Sequence, residues 1–271
     1  MGRRTKKHHN VRNLKPKDKK KKKKSLRLKH ILIAIVVMLV AVLALVKFNQ
    51  GSGANITGQV NDFEVDEIIK ADSANITLVE ENGYVLGPNY KEPTKGIIIN
   101  VDKGVAPKAY VPLAILLAKK GYQVIIPSFI LGAPSKDDKV ITDIIKKYQN
   151  IGVWAIIGHG DGGIAMSNSL ESDDKIKGAV FLASYPDEKV DLSKTYLKVI
   201  SISGTSDYRM DKFIYQSRKS KLPANTMYVQ LEKGNYENFA NYTEEQEGIL
   251  TKKEQQIQTS VQILNLMDQL R

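Results

Sequence analysis

Gly158-His159-Gly160-Asp161-Gly162-Gly163 is the stretch that decides the fold of this chain. Before it, Val153-Trp154-Ala155-Ile156-Ile157 is a continuous apolar run bounded by glycines, which is typical of a strand covered on both faces of a parallel sheet. After it, Ile164-Ala165-Met166-Ser167-Asn168 is compatible with a helix. Because glycines permit a tight turn between two such elements, the stretch predicts a strand, a sharp turn and a helix.

The chain on both sides of this turn alternates between short apolar runs and helical runs. Asn82-Gly83 is a strong hairpin signal between two of the runs. In the last helix, Ile257, Val261, Leu264 and Leu270 predict the buried face. The alternation predicts an α/β fold with a mostly parallel sheet and helices on both sides. The predicted strands are 76–80, 84–86, 96–100, 122–126, 153–157, 176–183, 196–203 and 226–231, and the predicted helices are 108–120, 140–148, the run after the turn to about 170, and 252–270.

The first part of the chain has a different character. Residues 1–30 contain 15 Lys/Arg and one Asp, whereas the remainder holds 26 Lys/Arg and 28 Asp/Glu. Ile31–Val46 is uninterrupted apolar sequence and would cover about 24 Å as a helix, which Phe48 and flanking lysine stems extend toward a bilayer core of about 30 Å. We therefore predict a transmembrane helix over 31–48, with the basic side in the cytoplasm and residues 49–271 outside.

A cleaved signal peptide is the alternative for this segment. Its apolar region is usually shorter and ends in a small-x-small site, whereas the chain continues Lys47-Phe48-Asn49-Gln50. The lysine-rich tail, including Lys19–Lys24, has the alternative of binding nucleic acid. No aromatic residue in the tail can stack on bases, so we predict contact with anionic lipid and no nucleic-acid partner.

These observations predict the domain organisation. It consists of a disordered cytoplasmic tail (1–30), a membrane anchor (31–48), a linker with an N-terminal extension (49–74) and one folded domain (75–271). The chain has no cysteine, which excludes disulfides, a thiol nucleophile and a lipidated cysteine. We expect a single-pass membrane protein whose main domain lies at a Gram-positive type of cell surface.

Several segments together resemble a known family. They are 105–114, 117–124, 158–163, 182–186, 201–207 and 234–239, in this order along residues 75–270. The outer part is similar to the small, membrane-anchored α/β-hydrolases often called the fifth α/β-hydrolase family. The resemblance implies the α/β-hydrolase fold, and it implies that active relatives hydrolyse small esters or related acyl groups without a cofactor.

The resemblance also locates the catalytic positions, and two of them are lost. The family places a serine in the Gly-x-Ser-x-Gly elbow, and this position is Gly160. Its histidine position falls on Tyr236, and the four histidines of the chain (8, 9, 30 and 159) include none after the elbow. The acid position falls on Asp207 and is intact. The usually glycine-rich oxyanion loop reads Val101-Asp102-Lys103-Gly104, in which Asp102 would oppose an oxyanion and Lys103 would partly offset it.

Other chemistry at the turn remains to be considered. Asp161 is an alternative nucleophile, but no histidine remains to activate water for it. We expect His159 to be a core or pocket-wall residue and Tyr236 to hydrogen-bond Asp207 in the old base position. One outer histidine excludes a site of several imidazole ligands, and we expect no metal and no cofactor.

The sequence thus favours a membrane-anchored pseudo-hydrolase with a binding or scaffolding role. A small acyl or carboxylate ligand at the backbone N–H groups after Gly160, near His159, Asp161 and the loop Asp102-Lys103-Gly104, is the suggested occupant. Two alternatives stay open. One is a weak esterase with a non-standard nucleophile, and the other is an anchor whose basic tail binds lipid or a cytoplasmic partner.

Overall fold

The computed structural model describes residues 60–129, 139–242 and 249–271. The predicted tail, the predicted transmembrane segment (31–48) and the start of the extension lie outside these ranges. Within the described ranges, no helix combines the length and apolar character that a membrane crossing requires.

Eight strands form one sheet in the order β1-β2-β4-β3-β5-β6-β7-β8. From β4 to β8 all neighbours are parallel, whereas β1 and β2 form an antiparallel hairpin and β2 also pairs antiparallel with β4. The mostly parallel sheet predicted from the alternation is therefore confirmed. The strands are β1 (Ile76–Glu80), β2 (Gly83–Pro88), β3 (Lys95–Asn100), β4 (Gln123–Pro127), β5 (Val153–His159), β6 (Ile176–Leu182), β7 (Lys198–Gly204) and β8 (Met227–Leu231).

The helices pack on the two faces of this sheet. They are α1 (Asp62–Asp72), α2 (Val111–Ala118), α3 (Lys139–Lys147), α4 (Asp161–Met166), α5 (Lys212–Arg218) and α6 (Lys252–Gln269), with short 3-10 turns at Pro107–Tyr110, Ser167–Ser169, Lys219–Lys221 and Glu237–Phe239. Two separate clusters of buried apolar residues lie on the two faces of the sheet. One lies under α1, α2 and α6, and the other, around Trp154, lies under α3 and α4. Their residues run from Val65 to Leu270, so this part of the chain has a hydrophobic core of its own.

Helix α1 falls within the segment that the sequence assigned to a linker and extension. Asn61 caps it by accepting the Glu64 N–H, and Val65 is fully buried in the first cluster. Lys108 bridges Asp62 and Asp66 of α1 at 2.8 and 2.9 Å, which ties the helix to the turn before α2. The folded part of the chain thus includes α1.

The buried face of α6 differs from the predicted one. Ile257 and Val261 are 42% and 47% exposed, although Leu264 is partly buried and Leu270 is buried. The helix instead turns Gln255 and Gln256 inward, where their amides bond the segment 235–241. The buried stripe continues through Ile263, Leu266 and Met267, so it lies beside the stripe that Ile257 and Val261 indicated.

Candidate functional site

The turn between β5 and α4 has the backbone geometry that a nucleophile elbow requires. Gly160 has φ 50° and ψ −121°, a conformation that strains any residue with a Cβ atom. A Cβ atom on Gly163 would overlap the Ser184 hydroxyl, which itself donates to the Gly160 carbonyl at 2.6 Å. Close packing therefore holds the turn against the end of β6, and its glycines make that packing feasible.

The space that an elbow side chain would occupy is already filled. A Cβ atom placed on Gly160 would overlap the Tyr236 hydroxyl and would lie 2.5 Å from Asp102 Oδ1. Tyr236 is carried by the segment after β8, and Asp102 by the loop after β3. A serine at position 160 would displace one or both of these side chains.

Both oxygens of the Asp102 carboxylate accept hydrogen bonds at this turn. Oδ1 accepts the backbone N–H groups of Lys103 at 2.8 Å and Asp161 at 2.9 Å, and Oδ2 accepts the Tyr236 hydroxyl at 2.7 Å. The side chain is buried, whereas Lys103 is exposed. The carboxylate therefore occupies the two N–H groups that lie on either side of the Gly160 turn.

Tyr236 is held as a neutral hydrogen-bond donor. Burial, together with the charge of Asp102, raises the pKa of its phenol far above the ordinary value. The Arg209 guanidinium lies over its ring at 4.2 Å and closes the outer side. The expected bond from Tyr236 to Asp207 is not formed, because the hydroxyl reaches the carboxylate of Asp102 instead.

Asp207 lies after β7 and is fully buried. Oδ1 accepts the N–H groups of Arg209 at 2.9 Å and Met210 at 3.0 Å, whereas Oδ2 has no hydrogen-bond partner among the described residues. An acid that orients a histidine needs such an acceptor, and here the acceptor is present without the histidine.

His159, the last residue of β5, lies inside the aromatic packing below the turn. Its Nδ1 is 2.8 Å from the Tyr110 hydroxyl, which also accepts the Asp102 N–H at 2.9 Å. The rings of Tyr236 and Phe239 pack on it at 4.5 and 5.5 Å between centroids. Burial lowers the pKa of His159, although the charge of Asp102 and the Tyr236 backbone act in the opposite direction. The imidazole therefore belongs to the core and does not face a substrate.

Comparison with known proteins identifies the framework around this site. The model of the Alpha/beta hydrolase family matches residues 96–259, more than half of the chain. The chain belongs to the alpha/beta hydrolase family. No curated protein matches it. Among solved structures, a predicted CIB-like hydrolase from Thermoplasma acidophilum is similar, with a TM-score of 0.54 and 15% identity over 70% of this chain and 99% of that one. At this identity the similarity supports the fold alone.

In an active alpha/beta hydrolase the oxyanion hole consists of the N–H after the nucleophile and an N–H from the loop after an early strand. The corresponding groups here are the N–H groups of Asp161 and Lys103, and both donate to Asp102. From the sequence we expected the Asp102 carboxylate to oppose an oxyanion. In the structure it occupies the place where the oxyanion would form. Of the backbone donors suggested for a carboxylate ligand, the Asp161 N–H is satisfied by Asp102, and those of Gly163 and Ile164 by the Gly160 carbonyl.

We call Asp102 and Tyr236, which together fill the nucleophile space, the plug; the two remaining candidate residues are exposed. Asp161 is exposed, and Gly104 is exposed with φ 77°. Among the described residues, no group of three or more His, Cys, Asp or Glu side chains could hold a metal ion.

A separate open cleft of about 500 Å³ shares none of its lining residues with this site. It runs between the outer side of α4, the loop after β6 and helix α5. Its wall combines apolar side chains with charged ones, notably Ile214 and Arg218 of α5. The residues that line it are Ile164, Asn168, Tyr185, Pro186, Asp187, Glu188, Lys189, Ile214 and Arg218.

Sequence reasoning missed two residues of the site. Tyr110 connects Asp102 to His159, and Arg209 covers Tyr236. Tyr110 lies within a segment that resembles the family and Arg209 two residues after another, but neither occupies a catalytic position of the motif. Only the hydrogen-bonding needs of a buried Asp102 and His159 could have suggested that partners of this kind exist.

Proposed function

We propose that this chain is a non-catalytic alpha/beta hydrolase, anchored in a membrane through residues 31–48, whose outer domain binds or scaffolds another molecule. One observation carries the proposal. The Asp102 carboxylate accepts the N–H groups of Asp161 and Lys103 that would form the oxyanion hole, and together with the Tyr236 hydroxyl it fills the nucleophile space.

Acyl transfer at this fold needs an activated nucleophile and unoccupied donors for the developing oxyanion. Gly160 supplies no nucleophile, and Tyr236 stays protonated because of burial and the Asp102 charge, which raise its pKa. A negative carboxylate on the two donors also repels a second negative oxygen. Loss of the nucleophile or of the unoccupied donors would by itself slow hydrolysis, and here both are lost at the same site.

A binding role is supported by the cleft beside α4. Its volume of about 500 Å³ lies within the range of about 300–1,000 Å³ that small-molecule sites use. The aliphatic wall at Ile164 and Ile214, with the charged Lys189 nearby, suits a ligand with both apolar and polar parts.

The anchoring rests on the sequence. The apolar run Ile31–Val46 follows a tail with 15 basic residues, a pattern that orients a single span with the tail in the cytoplasm. The outer domain would then face the cell surface or an equivalent extracytoplasmic space. Contact of the tail with anionic lipid would reinforce the anchor.

The catalytic half of the proposal is tested on residues 56–271 with a serine-directed fluorophosphonate and a panel of small esters. We expect neither labelling nor turnover from the natural sequence. Restoring the three lost elements together, as Gly160→Ser, Tyr236→His and Asp102→Gly, should produce labelling, because the turn, the two N–H donors and Asp207 are still in place.

A matched control places the same new side chains elsewhere. Gly152→Ser and Tyr196→His introduce a serine and a histidine at positions where a Cβ atom has open space and where the ring is exposed. This control should stay unlabelled. Labelling or turnover by the natural sequence that survives repurification would contradict the proposal and would favour the weak-esterase alternative.

The anchoring half is tested with the full chain. Expressed in a bacterial host, it should fractionate with membranes, and deletion of 31–48 should release it. Suppose that deletion of residues 1–29 abolishes the protein's function in cells, while replacement of the outer domain by another domain leaves it intact. In that case the tail would be the functional part, and the proposed role of the domain would be wrong.

A further inference from the structure

The plug contains a complete binding site for a carboxylate. Asp102 Oδ1 accepts the backbone N–H groups of Lys103 and Asp161 at 2.8 and 2.9 Å, and Oδ2 accepts the Tyr236 hydroxyl at 2.7 Å. Such lengths are typical of hydrogen bonds to an ionised acceptor, which are about twice as strong as neutral ones. The donors lie in the loop after β3, at the turn after β5 and after β8. Three separate parts of the chain therefore build one site for an anion.

The carboxylate in this site is held without a counter-ion. Asp102 is 4% exposed, and no lysine or arginine of the described ranges forms an ion pair with it. A buried charge is costly unless hydrogen bonds or an opposite charge compensate it. The three neutral donors therefore provide the compensation, which means that they are arranged to accept an anion.

Asp102 differs from a bound ligand chiefly in its attachment to the chain. Its side chain, CH₂–COO⁻, has the heavy atoms of acetate, and it lies so close to the turn that a Cβ atom on Gly160 would be 2.7 Å from its Cγ. The loop that carries it reaches the surface, since Lys103 and Gly104 are exposed. The chain thus delivers a carboxylate to a buried site from a surface loop.

We infer that Asp102 is a tethered ligand that closes a latent site for small monocarboxylates, formed by the N–H groups of Lys103 and Asp161 and by the Tyr236 hydroxyl. Attachment raises the local concentration of a carboxylate far above that of a free one, so a free carboxylate competes poorly. The contact is therefore autoinhibitory, and a carboxylate enters only when that of Asp102 leaves. The inference rests on the proposed non-catalytic role, because an active hydrolase would use the same donors for an oxyanion.

The test removes the tethered carboxylate and supplies a free one. In residues 56–271, Asp102→Gly deletes CH₂–COO⁻, and acetate returns the same heavy atoms. At about 0.2 M acetate we expect the thermal midpoint of this variant to rise by about 3 °C relative to equal chloride, because a ligand that binds only the folded state stabilises it. The natural sequence should respond by less than about 0.5 °C, since its own carboxylate fills the site.

Two variants serve as matched controls. Asp102→Asn keeps the space filled with an amide of nearly the same volume, so acetate should have no effect on it. Asp211 Oδ1 also accepts two backbone N–H groups, those of Phe213 and Ile214, both at 2.9 Å, but it is exposed at the start of α5. In Asp211→Gly water can satisfy these groups, so acetate should restore no stability.

Amide NMR of Asp102→Gly locates the bound anion. The N–H signals of Lys103 and Asp161 should shift with acetate concentration and give the same dissociation constant as the thermal midpoints. Pivalate should bind at least about tenfold more weakly, because the enclosed site has no room for three more methyl groups. If Asp102→Gly is unfolded in chloride, recovery of its folded circular dichroism spectrum in acetate is the readout. Asp102→Ala with formate is the second variant, since it keeps the Cβ atom.

Three results would overturn the inference. One is the absence of any response of both Asp102→Gly to acetate and Asp102→Ala to formate, and another is an equal acetate response of Asp211→Gly. The third is an equal response of the natural sequence, which would show that Asp102 does not close the site. Turnover of esters by the natural sequence would contradict the proposed function without changing the acetate response, so the two failures are distinguishable.

Discussion

At Gly160, both the backbone conformation and the lack of space for a side chain disfavour any residue other than glycine. Its φ of 50° strains any residue with a Cβ atom, and the Tyr236 hydroxyl and Asp102 carboxylate occupy the position of that atom. We expect Gly160→Ser alone to lower the free energy of unfolding by about 3 kcal/mol, from the combined costs of strain and overpacking. Urea unfolding of residues 56–271 measures this change.

Gly152→Ser provides the comparison, since a Cβ atom there meets nothing within 4 Å. It should change the stability by less than about 0.5 kcal/mol. Equal stability of Gly160→Ser and the natural sequence would show that Asp102 and Tyr236 can leave the site easily, which contradicts a fixed plug.

The burial of His159 predicts that the stability of the folded state depends on pH. This dependence is simple to isolate, because His159 is the only histidine in residues 56–271. Its folded pKa is lowered, chiefly by burial, so below pH 6.5 the unfolded state binds a proton more readily than the folded state. Its contribution is constant above that pH. As the pH falls below 6.5, the folded state should lose up to about 1.4 kcal/mol per pH unit from this group.

Two measurements test the histidine prediction. The single set of imidazole NMR signals should titrate below pH 6.5. The difference between the stability curves of the natural fragment and His159→Gln should isolate the slope from the carboxylates, which titrate at lower pH. Titration at or above 6.5 would contradict the burial of His159.

At the scale of elements, helix α6 holds the loop that carries Tyr236. The buried Gln255 amide accepts the Asn235 N–H at 2.9 Å and donates to the Asn235 carbonyl at 2.8 Å. We expect Gln255→Ala to cost about 2–3 kcal/mol, because it leaves two buried backbone groups unpaired. Hydrogen exchange of amides 234–239 should also accelerate.

The exposed Gln258 of the same helix is the control for this change. Gln258→Ala should alter neither stability nor exchange measurably. If both alanine variants behaved alike, the amide clamp would not be what positions Tyr236.

At the scale of the whole molecule, the folded unit begins before the predicted boundary at residue 75. Val65 of α1 is fully buried in the core cluster, whereas Phe63 in the same helix is 78% exposed. Val65→Ala should therefore destabilise residues 56–271 by about 2 kcal/mol, and Phe63→Ala by less than about 0.5 kcal/mol. A fragment that starts at residue 75 and melts like the longer one would contradict the role of α1.

The sequence predicted the sheet better than the helices around it. Continuous apolar runs such as Ile97–Ile99 need burial on both faces, and this need is readable from composition alone. Helix α1, by contrast, contributes one fully buried side chain and mostly polar residues, so it carries little signal before its partners are known. The inward face of α6 escaped prediction for a related reason, since polar residues such as Gln255, Gln256 and Thr259 form its first half and apolar ones only the second.

The sequence by itself determined that this chain has the strand-turn-helix of the family, and it predicted that the nucleophile and histidine positions hold Gly160 and Tyr236, because both features are local. Only the tertiary structure decided what fills the site. The bonds from Asp102 to Asp161 and Tyr236 join residues 59 and 134 positions apart, and no local pattern encodes such a meeting. A buried carboxylate must find donors, and the folded chain provides them in the oxyanion hole.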